Sequence, residues 1–487
     1  MDLSLLHLHW TARKKQNKEY RTYSLARSVR VNAKIYKQII FKLGRLTDEE
    51  VAQWRKNLQI LKQFRAFNIN LSSEMSKNFS KDDLQQLINE ASKKKFDYAE
   101  DDRKVDLELC QKVFEQAFEE VSDPREHDNL RYPFYGLLLI ILSATLASAK
   151  SIRGIYEYAR EKAFIFCPLL GMDRMPEYMV FWWILTRIDS NMLNQVFIRW
   201  ISTIADALLV KGTRRIAIDG KALRGAKKNS VHYVSAYESN RGLLLGQVKT
   251  KLKSNEITAI PELLKVIDIK GAIVTIDAAG CQKSIVRDIR DRQGHYLIAL
   301  KGNQENLHAE AKNFFKQARA IGFKGTGCSH AKTVNEGHGR IEKREIAVIE
   351  DLDWLDCKEE WKDLAAMIEI KSIRTVKEIT TTECRYYITS KGMKANIAGS
   401  VIRSHWGIEN NLHWMLDVFF NDDNSKANRG HAAENLGLFR RMAYCLLKQD
   451  TIKGRGLATR QRKAMWNDSY TLELLGNFIY QASQQTL

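Results

Sequence analysis

Between residues 214 and 301 short apolar runs alternate with helical ones in an order that few folds allow. RRIAIDGK (214–221), VHYVSAYE (231–238) and LLLGQVKT (243–250) are rich in β-branched or aromatic residues and read as strands, with Gly242 at a hairpin turn between the last two. EITAIPELLKVID (256–268) reads as a helix, GAIVTIDAAG (271–280) as a fourth strand, QKSIVRDIRDRQ (282–293) as a helix and HYLIALK (295–301) as a fifth strand. A parallel pairing needs a crossover, and the helix at 256–268 provides one. Asp219 and Asp277 each follow an Ile/Val-rich run, which places them rigidly at the rim of a sheet.

Three strands, helix, strand, helix, strand is the order of the ribonuclease-H-like fold. The predicted class is therefore α/β, with a ribonuclease-H-like core over residues 206–450. Residues 302–390 interrupt it with a helix (303–320) and strand candidates at 343–350, 365–373 and 385–390, too long for a loop and so an inserted subdomain. A long helix over 396–420 follows, with Ile397, Val401, Ile408, Leu412, Met415 and Phe419 as its core stripe and Glu409 at the stripe's margin. Residues 106–205 read as a helical domain broken at 123–125 and 171–176, residues 66–105 as a polar linker and 451–487 as a helical tail. Pro133–Ala149 is apolar enough to imitate a membrane span, but it is at the short limit of length and its small residues suit a buried helix.

The chain has 487 residues, with 77 Lys and Arg against 58 Asp and Glu and a formal net charge of +19. Residues 13–45 alone hold eleven of those bases, Arg27, Arg30 and Lys34 among them, against the single acid Glu19. Tyr20, Tyr23 and Tyr36 interleave with them, as on a surface that grips phosphates. Residues 1–65 are thus read as a basic segment that binds a polyanion, nucleic acid first, closing in a helix at 48–64. Seven scattered cysteines form no C-x-x-C pair, which argues against zinc and disulfides and for a reducing compartment. No signal peptide is evident at Met1–Trp10, and the expected location is a reducing cytosol.

An aspartate at a strand end commonly just begins a turn. Two of them with a downstream glutamate, in a basic chain, argue jointly for a site. Hard carboxylate oxygens suit Mg²⁺ or Mn²⁺, and two such ions about 4 Å apart activate a nucleophile and stabilise the leaving oxygen in phosphodiester cleavage.

The blocks IAIDGKALRG, VSAYES, LGQVKTKLKSNEITAIPELL, VTIDAAGCQ, YLIALKGNQ, EGHGRIEKREI and RSHWGIENNLHWMLDVFFNDD resemble, in succession, those of DDE transposases from bacterial insertion sequences, in the H-repeat-associated (Rhs-linked) group. DPREHDNLRYPFYGLLLIILSATLASAKS (123–151) resembles the helical domain preceding that core, and the likeness covers about residues 106–470. YRTYSLARSVRVNAKIYKQIIFKLGRL (20–46) looks instead like the opening of a different transposase group, as in a fusion of two elements' parts.

The resemblance implies that Asp219, Asp277 and Glu409 are the metal-binding catalytic triad, holding two Mg²⁺ ions (or Mn²⁺). It implies DNA cleavage and strand transfer at the ends of an insertion sequence, with terminal repeats and target DNA as partners, a dimer on DNA and no membrane. The Tyr, Arg and Lys that accompany the glutamate in related transposases fall here on Ile402, His405 and Leu416, so those contacts do not carry over. His405, Trp406, Asn410 and His413 stand near enough along the helix to replace them, with Trp406 a stacking candidate. Asp417 competes with Glu409 as the third carboxylate. Further DNA contacts are expected from Lys221 and Arg224 after the first aspartate, from Lys301, Asn303 and Gln304 at the rim, and from His338 and Arg340 at a Gly-flanked turn. The alternative function is a non-catalytic DNA-binding relic or regulator of transposition.

Overall fold

The computed structural model describes residues 6–15, 18–31, 34–63, 115, 118–125, 130–207, 212–223, 231–250, 256–337, 339–450 and 456–483. The chain forms two compact units, Met1–Lys104 and Val105–Leu487. The linker expected over 66–105 lies outside the described residues.

In the first unit the basic segment read over residues 1–65 forms three strands ahead of the expected helix. Strands β1 (Leu6–Lys15), β2 (Lys18–Val31) and β3 (Lys34–Gly44) form an antiparallel sheet in that order. Helix α1 (Asp48–Gln63) starts with a reciprocal cap: Glu50 N–H donates to Thr47 Oγ1 and Thr47 N–H to Glu50 Oε2. It turns Val51, Trp54 and Leu58 inward and packs on β1. Arg27 and Arg30 lie on β2 opposite Gln38 and Ile35, and Lys34 begins β3 opposite Val31.

The second unit is built on a nine-stranded sheet in the order β6-β5-β4-β7-β8-β12-β11-β10-β9. β4 (Arg215–Leu223), β7 (Ile273–Ile276) and β8 (His295–Leu300) are parallel neighbours. β5 (Val231–Glu238) and β6 (Leu243–Lys249) fold back antiparallel beside β4. Helix α7 (Glu256–Val266) carries the chain from β6 to β7, and α8 (Lys283–Asp291) from β7 to β8. These are the strands and helices that the residue pattern predicts.

Residues 302–390 form no layer of their own. After the helix Glu305–Ala320, strands β9 (Ser329–Gly337), β10 (Arg340–Ile349), β11 (Ala366–Val376) and β12 (Ile379–Thr389) continue the same sheet, because β12 pairs antiparallel with β8. β11 and β12 are joined by Lys377 and Glu378, both with positive φ, the two-residue geometry whose twist matches the flanking strands. The register of Tyr386 opposite Leu300 leaves the start of β12 projecting about 20 Å past the end of β8.

Alternation along the strands divides the core. Val274, Ile276 and Ile298 face α7, α8 and the helical domain, whereas Ile273 and Leu297 face helix α10 (Ala395–His405). In the helical domain, α2 (Phe134–Leu146) is buried along nearly its whole length and packs on α12 (Ala432–Gln449). Among the described residues no helix is long and apolar enough to cross a membrane. Helices Leu457–Trp466 and Asp468–Ser483 follow α12.

The helix expected over 396–420 is not continuous. α10 ends at His405, a π-helical segment spans Ile408–His413, and α11 (Trp414–Phe420) resumes the α form. The shift moves the core stripe: Leu416 and Phe420, not Met415 and Phe419, are fully buried, and Ile397 is exposed.

Candidate active site

β4 and β7 are in parallel register up to Ile218 opposite Ile276, so the next residues are neighbours, Asp219 within β4 and Asp277 just past the end of β7. Asp219 lies within β4, which runs on to Leu223 against β5, and is not its last residue as the sequence implies. Asp277 leaves the sheet and caps the turn Ala278–Gly280, its Oδ1 accepting from Ala279 N–H at 3.1 Å. That turn is pinned by amides from the β8 end: Asn303 Nδ2 donates to Ala278 O and Gln304 Nε2 to Cys281 O, both at 2.8 Å. The two amides expected to touch DNA therefore also hold the backbone behind Asp277.

Glu409 sits in the π segment and its side chain is exposed. Its carbonyl accepts the Trp414 N–H five residues on, the bond that defines the π turn and a feature common at functional sites. Burial raises the Asp219 carboxyl to about 7, and the charges of Glu256, Glu409 and Asp277 push the same way, against one Gly220 N–H bond. The three predicted carboxylates thus share one electrostatic neighbourhood.

Glu256 is the member that sequence reasoning missed. It opens α7, 3.4 Å from His232 Nε2, with its carboxyl raised by burial and by Asp277. Its side chain lies over Gly220, where any Cβ would collide with it. The signal was present in KSNEITAIPELL, but a glutamate in the first turn of a helix is ordinary N-terminal chemistry. Among the described residues no three His, Cys, Asp or Glu side chains stand in metal-holding geometry.

The remaining candidates separate clearly. His405 lies under the sheet rim with Nδ1 2.9 Å from Thr275 Oγ1, and burial lowers its pKa. His413 Nδ1 is 3.7 Å from Asp219. Burial first, then Lys221 and Arg441, lower His413 to about 3, so the ring is neutral and this contact is not an ion pair. Ile402 and Leu416, the positions that lack the related transposases' polar contacts, are buried core. Trp406 is 43% exposed with Arg385 5.6 Å over its ring, and Asn410 is exposed. Lys301 is exposed at the end of β8, and Arg340 is exposed where β10 leaves its hairpin.

Lys221 is the correction among them. It is buried, with Nζ 2.7 Å from both Asp417 oxygens and 3.3 Å from Asp423, so in this structure it is engaged in ion pairs and does not face open solvent. Asp417, the rival third carboxylate, is held by the same bonds. Its carboxyl is raised by burial and pulled back by Lys221. Arg224 and His338 lie outside the described residues. Arg27, Arg30 and Lys34 belong to the first unit.

Comparison with known proteins shows the family. Residues 203–446 match the family described as Transposase DDE domain, residues 115–201 the DDE_Tnp_1-associated family, and residues 8–71 the IS1634 family transposase, N-terminal domain. "Putative transposase YncI" of Escherichia coli O157:H7 is 36% identical over 369 residues, 73% of this chain and 93% of that one. "H repeat-associated putative transposase YhhI" of Escherichia coli (strain K12) is 33% identical over 367 residues, 73% and 95% of the two chains. "H repeat-associated putative transposase YbfD" of the same strain is 51% identical over 98 residues, 19% of this chain and 39% of that one. With a domain match spanning half its length and a relative aligned nearly end to end, the chain belongs to the DDE transposase family.

Proposed function

We propose that this chain cuts DNA at the ends of an insertion sequence and joins the freed 3′ end to target DNA. The observation that carries this is the placement of Asp219 on β4 next to Asp277 at the end of the adjacent parallel strand β7, with Glu409 close enough to raise the Asp219 carboxyl. The strand order β6-β5-β4-β7-β8 supports a ribonuclease-H-like core extended at one edge.

The donor set fits a divalent cation. Asp219 is four-fifths buried among like charges and has no cationic partner among the described residues, and all the donors are hard oxygens. Asp219, Asp277 and Glu409 would hold two Mg²⁺ or Mn²⁺ ions, with Glu256 a fourth acid at their side. Such ions supply an activated nucleophile and a stabilised leaving oxygen in phosphodiester cleavage. The chain's own part is placement. The sheet fixes the aspartates, Asn303 and Gln304 fix the turn below Asp277, and neutral His413 adds no positive charge to the site. Exposed Lys301, Arg340, Trp406 and Asn410 are available to DNA, and the basic three-stranded sheet would bind the element's ends. Two such chains would meet on paired ends, in the bacterial cytoplasm.

The test is cleavage of labelled DNA bearing the element's own ends with Mg²⁺ or Mn²⁺, comparing wild type with Asp277→Ala and Glu409→Gln. Both variants should bind but not cut, and binding should weaken steeply as salt rises. Cutting by Glu409→Gln at the wild-type rate would overturn the triad and make Glu256 the next carboxylate to replace. Wild-type binding without cutting would favour a DNA-binding relic.

A further inference from the structure

Side chains alternate along β4, so Asp219 and Lys221 share the face on which residues 395–420 lie. On the facing segment His413 and Asp417 are one turn apart and share one side. The two rows meet in step: His413 stands against Asp219, and Asp417 receives Lys221 with both oxygens at 2.7 Å. Two family blocks far apart in sequence, IAIDGKALRG and the Glu409 block, are joined at this pair.

The other attachments of the Glu409 segment are mixed: ahead of the π turn, Thr275 Oγ1 lies 2.9 Å from His405 Nδ1 and Ser239 Oγ donates to Ser404 O at 2.9 Å. Ile408, Leu412 and Leu416 seat the segment on the sheet by apolar contact, which has no directional preference and does not fix its position along the strand. The π turn breaks the regular backbone ladder at Glu409 itself. A two-pronged, charge-assisted bond does fix position and direction. Beyond it, buried Asp422 is bound by Arg440 and Arg441, so the far end of the segment is anchored to α12.

We propose that the Lys221–Asp417 ion pair is the tie that sets Glu409 at its distance from Asp219, making both members positioning residues for the metal site. Neither touches the reacting atoms. The inference rests on the metal-dependent reading above for its effect on cutting, but not for its effect on the segment.

Removing one partner alone would leave a buried charge and endanger folding, whereas an apolar pair of similar size is commonly tolerated, and Asp423, also 3.3 Å from Lys221 Nζ, is partly exposed and can be solvated without it. The informative variant is therefore Lys221→Met with Asp417→Leu, set beside Asp417→Asn. Two readouts are needed: the Mg²⁺ concentration giving half-maximal cutting, and hydrogen exchange of peptides covering 406–417 in the metal-free protein. The double variant should melt near the wild type, yet need about tenfold more Mg²⁺ and exchange faster over 406–417. A merely structural role would lower activity at all Mg²⁺ concentrations together and leave the half-maximal point unchanged. Wild-type exchange and a wild-type Mg²⁺ requirement in the folded double variant would overturn the tie. If the wild type neither cuts nor binds Mn²⁺, the cleavage reading fails, and faster exchange over 406–417 still upholds the tie while unchanged exchange rejects it.

Discussion

Two acidic clusters on one unit follow opposite rules. Asp219 is surrounded by Asp277, Glu409 and Glu256, and burial together with like charge raises its carboxyl. Asp422 is more deeply buried, yet Arg441 and Arg440 more than offset its desolvation and lower it. The first arrangement costs folding free energy unless a cation arrives, and the second is complete as it stands. Acids facing acids mark a place kept for a ligand, whereas acids facing guanidinium groups mark a joint.

Breaking each cluster should therefore damage different properties. Asp219→Asn should lower cutting by more than about a thousandfold while the protein stays folded, as read by cleavage rate and melting together. Asp422→Asn should do the reverse. It should cost roughly 3–5 kcal/mol of stability, because two guanidinium groups lose the charge they enclose, and any activity loss should follow the folded fraction in denaturant titrations. Equal destabilisation by both substitutions would erase the distinction.

Acid sharpens the contrast further. The Asp422 carboxyl is lowered on folding, so the stability it contributes is present above its unfolded value of 3.8 and is lost as pH falls through the lower folded value. Wild-type unfolding free energy should drop below about pH 4, and Asp422→Asn should show a shallower drop over the same range. A parallel pair of curves would show that the guanidinium partners are not what holds this carboxylate.

The smallest effect is expected at Gly220. A Cβ there meets the far ends of the Glu256 and His232 side chains, which can swing away, so Gly220→Ala should cost only about 1 kcal/mol. It would displace Glu256 from the first cluster and leave the second untouched. An activity change with little change in melting would show that Glu256 belongs to the working site.

Legibility in the sequence followed the range of the interactions involved. β4 to β8 were readable because strand periodicity and β-branched content are local. Asp219 and Asp277 were readable because each ends such a run. The N-terminal strands were not, since Lys and Arg are distributed through RTYSLARSVRV and KIYKQIIFK and the charge obscured the two-residue period. The π turn at Ile408–His413 escaped because the helical spacing of IENNLHW is compatible with a single added residue, and its effect is to exchange Met415 for Leu416 in the core. Lys221 was read as free for phosphate because its partners lie 196 residues downstream.

By itself the sequence determined the family, the alternation of strands and helices, and the residue types of the site, all carried by local pattern. Tertiary structure alone decided that the inserted strands extend the same sheet, that Glu256 joins the acids, and that Lys221 is bound to Asp417. Each of these depends on which distant groups must share one desolvated place, where pairing edges and charges matter most.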